Sequence, residues 1–201
     1  MLGKILNALM ENYPFCKDSN PFTRDNERCN DTQKRRKECQ WSLPPMGWHK
    51  ANFDGAAKGN LGEAGNGGVI RNSYGYGIAM VTLPLENQTN HFVEACIVIQ
   101  TTKLAKDIGV RCLWLEGDSN NIIKCLKGEH YSFWSIKNMV EETKQILLTF
   151  ERVYVSHEYR EENLAANWMA NEVVKRDMSY RWTNGDSVPT TFKSMIEIER
   201  I

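Results

Sequence analysis

The residue pattern predicts an α/β domain built on a five-stranded mixed sheet, its first three strands antiparallel and helices on its faces. Two observations carry this. A strand-like run, Trp48 to Asp54, is followed by two more strand-like runs joined by a tight turn. From Asn90 onward, segments of helical period alternate with short apolar runs at 112–117 and 153–157. Strands joined by short turns pair antiparallel, whereas strands separated by helices need crossovers that cover the sheet.

The first strand alternates, with Ala51 and Phe53 on one face and Asn52 and Asp54 on the other, as a strand with two different faces does. Gly55, Gly59, Gly62, Gly65, Gly67 and Gly68 follow within fourteen residues and are expected to form a glycine-rich turn. Val69–Asn72 and Ile78–Leu83 read as two strands of a hairpin closed by Ser73-Tyr74-Gly75. Phe92, Cys96 and Ile99, with Ile97, Leu104 and Ile108, recur at helical spacing from about Asn90 to Ile108, where Gly109 marks the stop. Strand 112–117, a short helix over 120–127 ended by Gly128, a helix over about 136–149, strand 153–157 and a helix over about 163–176 complete the order.

The flanks have a different texture. Residues 1–46 read as a flexible arm: a short helix from Leu2 to Glu11, then Asp18 to Gln40, rich in charges of both signs and poor in apolar residues. Such a stretch buries too little surface to offset the entropy of ordering. Lys34-Arg35-Arg36-Lys37 within it is either a solvated charge run or a nuclear-import or nucleic-acid patch. Leu43-Pro44-Pro45-Met46 stiffens the approach to a folded domain placed at 47–177. In the tail, 178–201, Phe192, Met195, Ile196 and Ile198 suggest a small helix docking on the domain or on a partner.

With 201 residues, 41% of them hydrophobic and 10% aromatic, the chain has material for one domain with a real core. Its formal net charge is zero, so any footprint for nucleic acid must be local. No apolar stretch approaches the roughly 20 residues that span a bilayer, and Met1 to Tyr13 is a poor secretory signal. None of the six cysteines forms a CxxC pair, which argues against zinc; Cys96 and Cys112 read as small core residues. The expected setting is reducing and intracellular, nucleus or cytoplasm.

Three acids stand at element ends: Asp54 in the first strand, Glu94 in the first turns of the long helix, and Asp118 at the end of Cys112–Gly117, just before the helix-starting Ser119. Carboxylates converging from separate elements are what hard divalent cations require, and two such cations can clamp the attacking and leaving oxygens of a phosphodiester. A fourth ligand is expected near the end of the domain, where Asn167 stands in the apolar run Ala165 to Ala170. A polar residue there has a partner, which is either a metal site or the neighbouring backbone.

Five pieces fall in one order: Asn52-Phe53-Asp54-Gly55-Ala56 with Lys58-Gly59-Asn60 and Gly65; Gly67-Gly68-Val69-Ile70-Arg71; Gln88-Thr89-Asn90 with Glu94; Glu116-Gly117-Asp118-Ser119; and His157-Glu158-Tyr159-Arg160-Glu161-Glu162-Asn163 leading to Asn167. Together they resemble the type 1 ribonuclease H family, specifically its plant branch related to retrotransposon reverse transcriptases, over residues 46–177. The resemblance implies the ribonuclease H-like fold and hydrolysis of the RNA strand of RNA–DNA hybrids with two Mg²⁺ or Mn²⁺ ions. It implies that Asp54 bridges both ions, that Glu94 and Asp118 hold one, that Asn167 replaces the family's last acid, and that His157 assists the reacting water or product release. Gly55, Lys58, Gly59, Asn60, Thr89, Asn90 and Ser119 would contact nucleic acid, Thr89 and Asn90 doubling as helix-capping residues. Asn167 and the non-basic Glu129-His130-Tyr131-Ser132 connection leave a second reading open, a domain that binds but does not turn over.

Overall fold

The computed structural model describes residues 41–57, 62–160, 163–177 and 179–183. Lys58, Gly59 and Asn60, the Leu2–Glu11 and tail helices, and the Lys34–Lys37 cluster lie outside the described residues. The chain runs β1 (His49–Ala57), β2 (Gly62–Arg71), β3 (Gly77–Gln88), α1 (Asn90–Asp107), β4 (Cys112–Gly117), α2 (Asn120–Leu126), α3 (Lys137–Leu147), β5 (Arg152–His157), α4 (Leu164–Arg176) and β6 (Tyr180–Thr183). The sheet order is β5-β4-β1-β2-β3-β6, with β1, β4 and β5 parallel and the other pairs antiparallel. No helix among the described residues is long and apolar enough to cross a membrane.

Among the described residues the sheet has six strands rather than five. The extra one, β6, spans four residues at the edge beside β3 and extends the sheet beyond residue 177. It is too short for its alternation to register in the sequence, yet Trp182 packs with Val69, Met80 and Met169 under α4.

The expected glycine-rich turn is corrected more sharply, because Gly65, Gly67 and Gly68 lie inside the central strand β2. Glycine weakens a strand unless another backbone must come close, and here helices press on both faces. A Cβ on Gly67 would sit 2.6 Å from Met169 Cβ and 2.8 Å from Ala166 O, and one on Gly65 would sit 2.6 Å from Ala170 O. On the opposite face a Cβ on Gly68 would collide with the Thr101 side chain of α1. Omitting three side chains lets both helices lie on the strand itself. The β2–β3 hairpin matches expectation: Gly75 has φ +80°, and the Asn72 side-chain oxygen accepts from the Tyr74 and Tyr76 N–H groups.

The main core lies between one sheet face and α1, α2 and α3, around Phe53, Ile70, Ile97, Leu104, Leu113, Leu115 and Leu126. Helix α1 is buried on most sides because α3 covers what the sheet does not, which explains its weak amphipathic pattern. Helix α4 covers chiefly β1, β2 and β3 on the other face, with Trp182 of β6 packed beneath it. The uncovered part holds a buried polar network. Lys50 pairs with Glu116 at 2.9 Å and lies over the Trp114 ring, and Asn52 donates to Glu116 at 3.0 Å and accepts from Arg71 at 3.1 Å. Trp41 closes it, its indole N–H donating to Asn52 Oδ1 at 3.1 Å. Trp41 and Ser42, assigned from sequence to the flexible arm, thus contact the domain, and Pro44 is buried. Cations stacked on an indole and paired with a buried carboxylate hold the strap where apolar patterning gives no hint of it.

Gly67→Ala is expected to lower stability by about 1–3 kcal/mol through overpacking against α4; urea denaturation measures it, and an unchanged midpoint would show that α4 yields freely.

Candidate active site

Asp54 and Asp118 meet because β1 and β4 are parallel neighbours with Phe53 in register with Gly117, so the next residue of each emerges at the same place. Ligands of open α/β sheets gather outside the carboxyl ends of parallel strands. Glu94 arrives from the second turn of α1, whose cap is Thr89: the Thr89 side chain accepts from the Phe92 N–H. Gly55 permits the approach, since a Cβ there would lie 2.8 Å from Val93 Cγ1 and 3.2 Å from Glu94 N. Asn163, fully buried, donates from Nδ2 to Phe53 O at 2.8 Å and pins the start of α4 to the strand that carries Asp54.

The outcome is one oxygen from each of Asp54, Glu94 and Asp118 within 4.8 Å of the others. Asp54 is 1% exposed and Glu94 9%, and Asp54 Oδ2, Glu94 Oε2 and Asp118 Oδ1 have no hydrogen-bond partner among the described residues. Buried carboxylate oxygens gathered from three elements without a donor are the ligand set that a hard divalent cation takes. They line a cavity of about 290 Å³ together with Asn90, Arg160, Asn171 and Lys175.

Burial drives the Asp54 carboxyl up to about 8, the Asp118 charge adding to the shift and Arg160 opposing it. Burial likewise raises Glu94 well above the usual carboxylate range, with Asp54 and Asp118 contributing. Both shifts say that ionising the cluster costs free energy with no cation present.

The other expected residues divide. Asn90 lines the cavity, and Ser119 is half-buried at the start of α2 without a side-chain capping bond. His157 is exposed beside the acids, its Nε2 3.0 Å from Asp118 O. Asn167 does not join the cluster. Its Oδ1 receives Arg160 Nε at 3.3 Å, Arg160 Nη2 at 2.9 Å and Asn171 Nδ2 at 3.0 Å. Three donors on an amide oxygen with two lone pairs leave nothing for a cation.

Residues 52–173 match the reverse transcriptase-like family. The chain belongs to the type 1 ribonuclease H family. It is similar to a protein of Arabidopsis thaliana provisionally named a ribonuclease H protein, 29% identical over 156 residues, which are 78% of this chain and 25% of that protein. It is similar to ribonuclease HI of Halobacterium salinarum, 29% identical over 129 residues, 62% of this chain and 63% of that one. The chain thus spans a quarter of one curated relative and under two thirds of the other. The crystal structure of the Halobacterium ribonuclease H1 superposes with TM-score 0.60 and 28% identity over 64% of this chain and 98% of that one. The ribonuclease H1 LC11 in complex with an RNA/DNA hybrid gives TM-score 0.60 at 21% identity, covering 64% of this chain and 98% of that one, a likeness of fold.

Within this ribonuclease H fold, sequence reasoning missed four participants: Arg160, Asn163, Asn171 and Lys175. Asn171 and Lys175 stand four and eight residues beyond Asn167, and that spacing alone puts them on its helical face. Arg160 lies in an irregular connection, where spacing carries no direction.

The raised carboxyls fix the sign of a pH effect. A folded-state value above the unfolded one means stability that is full below the unfolded value, near pH 4, and lost as pH rises toward the folded value. In metal-free buffer, Asp54→Asn is expected to be more stable than the native chain at pH 8 by about 1–3 kcal/mol, with the difference vanishing near pH 4. Thermal unfolding with a chelator at both pH values checks this; an equal gain at both would remove ionisation as the cause.

Proposed function

We propose that this chain is a divalent-cation-dependent endonuclease that hydrolyses the RNA strand of RNA–DNA hybrids. The observation that carries the reading is the convergence of Asp54, Glu94 and Asp118, each with an unpartnered oxygen, in a cavity open to solvent. A small hard cation fits this donor set, which is all oxygen and anionic, and Mg²⁺ or Mn²⁺ suits it better than zinc. Bound there, it would supply charge stabilisation at the reacting phosphate and lower the pKa of an attacking water.

The chain's own residues do the rest. Asp54 in β1 and Glu94 in the second turn of α1 fix the geometry, and Gly55 keeps the two elements close. Asn90 and the N-terminus of α1 offer donors and a positive dipole to a phosphate. His157 is exposed next to Asp118 and is placed to exchange protons with water or product. Phe133 stacks on His91, ring centroids 4.7 Å apart, and Tyr131 and Trp134 stand in solvent on the same connection. These aromatic faces supply nucleic-acid contact where a basic segment is lacking. The two-ion expectation depends on a fourth ligand, and with Asn167 engaged this reading rests on the three acids.

That engagement also favours a second reading, a domain that binds hybrids with little or no turnover. A labelled RNA–DNA hybrid incubated with the native chain in Mg²⁺ and in Mn²⁺, beside Asp54→Asn, separates the two. Cleavage is expected from the native chain, falling by at least about 100-fold in the variant; retention of the hybrid without cleavage in either ion supports the binder instead.

A further inference from the structure

We propose that Arg160, anchored by Asn167, is itself a catalytic cation of this site: it contacts the reacting phosphate in the place a second dication would fill, so that the cavity is built for one ion. This inference rests on the hybrid-nuclease reading.

Arg160 lines the same cavity as the three acids, and its charge reaches both Asp54 and Glu94. The side chain is exposed, but its Nε and Nη2 both donate to Asn167 Oδ1, and Asn167 is in turn held by Asn171, which donates to its backbone oxygen at 2.8 Å and its side-chain oxygen at 3.0 Å. The two asparagines stand one helical turn apart on α4. Together they form a neutral clamp that fixes a guanidinium beside an acidic pocket.

Neutrality is the point of the clamp. A carboxylate at position 167 would pair with the guanidinium fork to fork and cancel its charge. An amide accepts the same hydrogen bonds and cancels nothing. Two of the five guanidinium N–H groups serve the clamp, and those on Nη1 are outside it and suit phosphate oxygens.

The charge balance agrees. Three carboxylates and one guanidinium leave two negative charges, which one dication neutralises, whereas four carboxylates would call for two. Lys175, the other cation lining the cavity among the described residues, pairs at 2.8 Å with Glu172, which it shares with Arg176.

The test counts ions before it measures turnover. Mn²⁺ is titrated into the intact chain, without substrate, by calorimetry and electron paramagnetic resonance, for the native protein, Arg160→Gln, and Arg160→Gln combined with Asn167→Asp. One ion is expected for the native chain and for Arg160→Gln, held roughly fivefold more tightly in the latter because a nearby positive charge is gone. The double variant, with four acids and no guanidinium, is expected to take two. In single-turnover cleavage at saturating Mn²⁺, Arg160→Gln should be slower by roughly 100-fold, with Arg160→Lys partly restoring the rate and hybrid affinity in Ca²⁺ little changed. Two ions in the native chain, both lost on Asp54→Asn, would overturn the proposal, as would an unchanged rate in Arg160→Gln. If the native chain cleaves no hybrid, the nuclease reading falls; a native count of one that rises to two in the double variant would still support Arg160 as the second ion's substitute, and any other count would reject it.

Discussion

Close approach of backbone to backbone is what the site depends on. Helix α1 reaches Asp54 only because Gly55 presents no side chain to Val93 and Glu94, and α4 reaches β2 only because Gly65 and Gly67 present none to Met169 and Ala170. Helices normally ride on a sheet at the distance set by side chains. Here that distance is shortened at the glycines, and the energy of a well-packed core is used to force three carboxylates together. The repulsion among them is the result of that packing, not a defect in it. With Asp54 and Glu94 raised by burial, the site stays poised to exchange their protons for a cation.

Two electrostatic systems flank this centre and are easily confused. Lys50, Glu116, Asn52 and Arg71 form a closed network with direct partners, sealed by Trp41. Burial lowers the Lys50 ammonium and raises the Glu116 carboxyl, yet each faces the other. Asp54, two residues past Asn52 on the same strand face, belongs to the opposite kind: its charge meets like charges and an unpartnered oxygen. A satisfied pair reads as architecture, an unsatisfied trio as a place for a ligand. The distinction lies in partners, since Asn52 and Asp54 are equally buried.

Much of this was legible in the residues. Element order and type followed from periodicity, and the acids could be found because Asp54, Glu94 and Asp118 fall at strand ends and a helix start, where topology alone brings side chains to one edge of a sheet. What the sequence hid has physical reasons. Glycines inside a strand look like a turn until the helices above them are seen. A four-residue edge strand is too short to show a period. Trp41 sits in a charged flank, and only its stacking with Lys50 and Arg71 reveals its place. Asn167 was expected to face the cations, but the donors that claim its oxygen come from an irregular connection and from the next helical turn.

The proposed function stands or falls with the trio of acids as a cation site of this ribonuclease H-family chain. Crystals soaked in Mn²⁺ and measured at the manganese absorption edge test it most directly. An anomalous peak is expected within roughly 2–2.5 Å of one oxygen from each of Asp54, Glu94 and Asp118. An empty trio at saturating Mn²⁺, or a peak coordinated only by other residues, would contradict it.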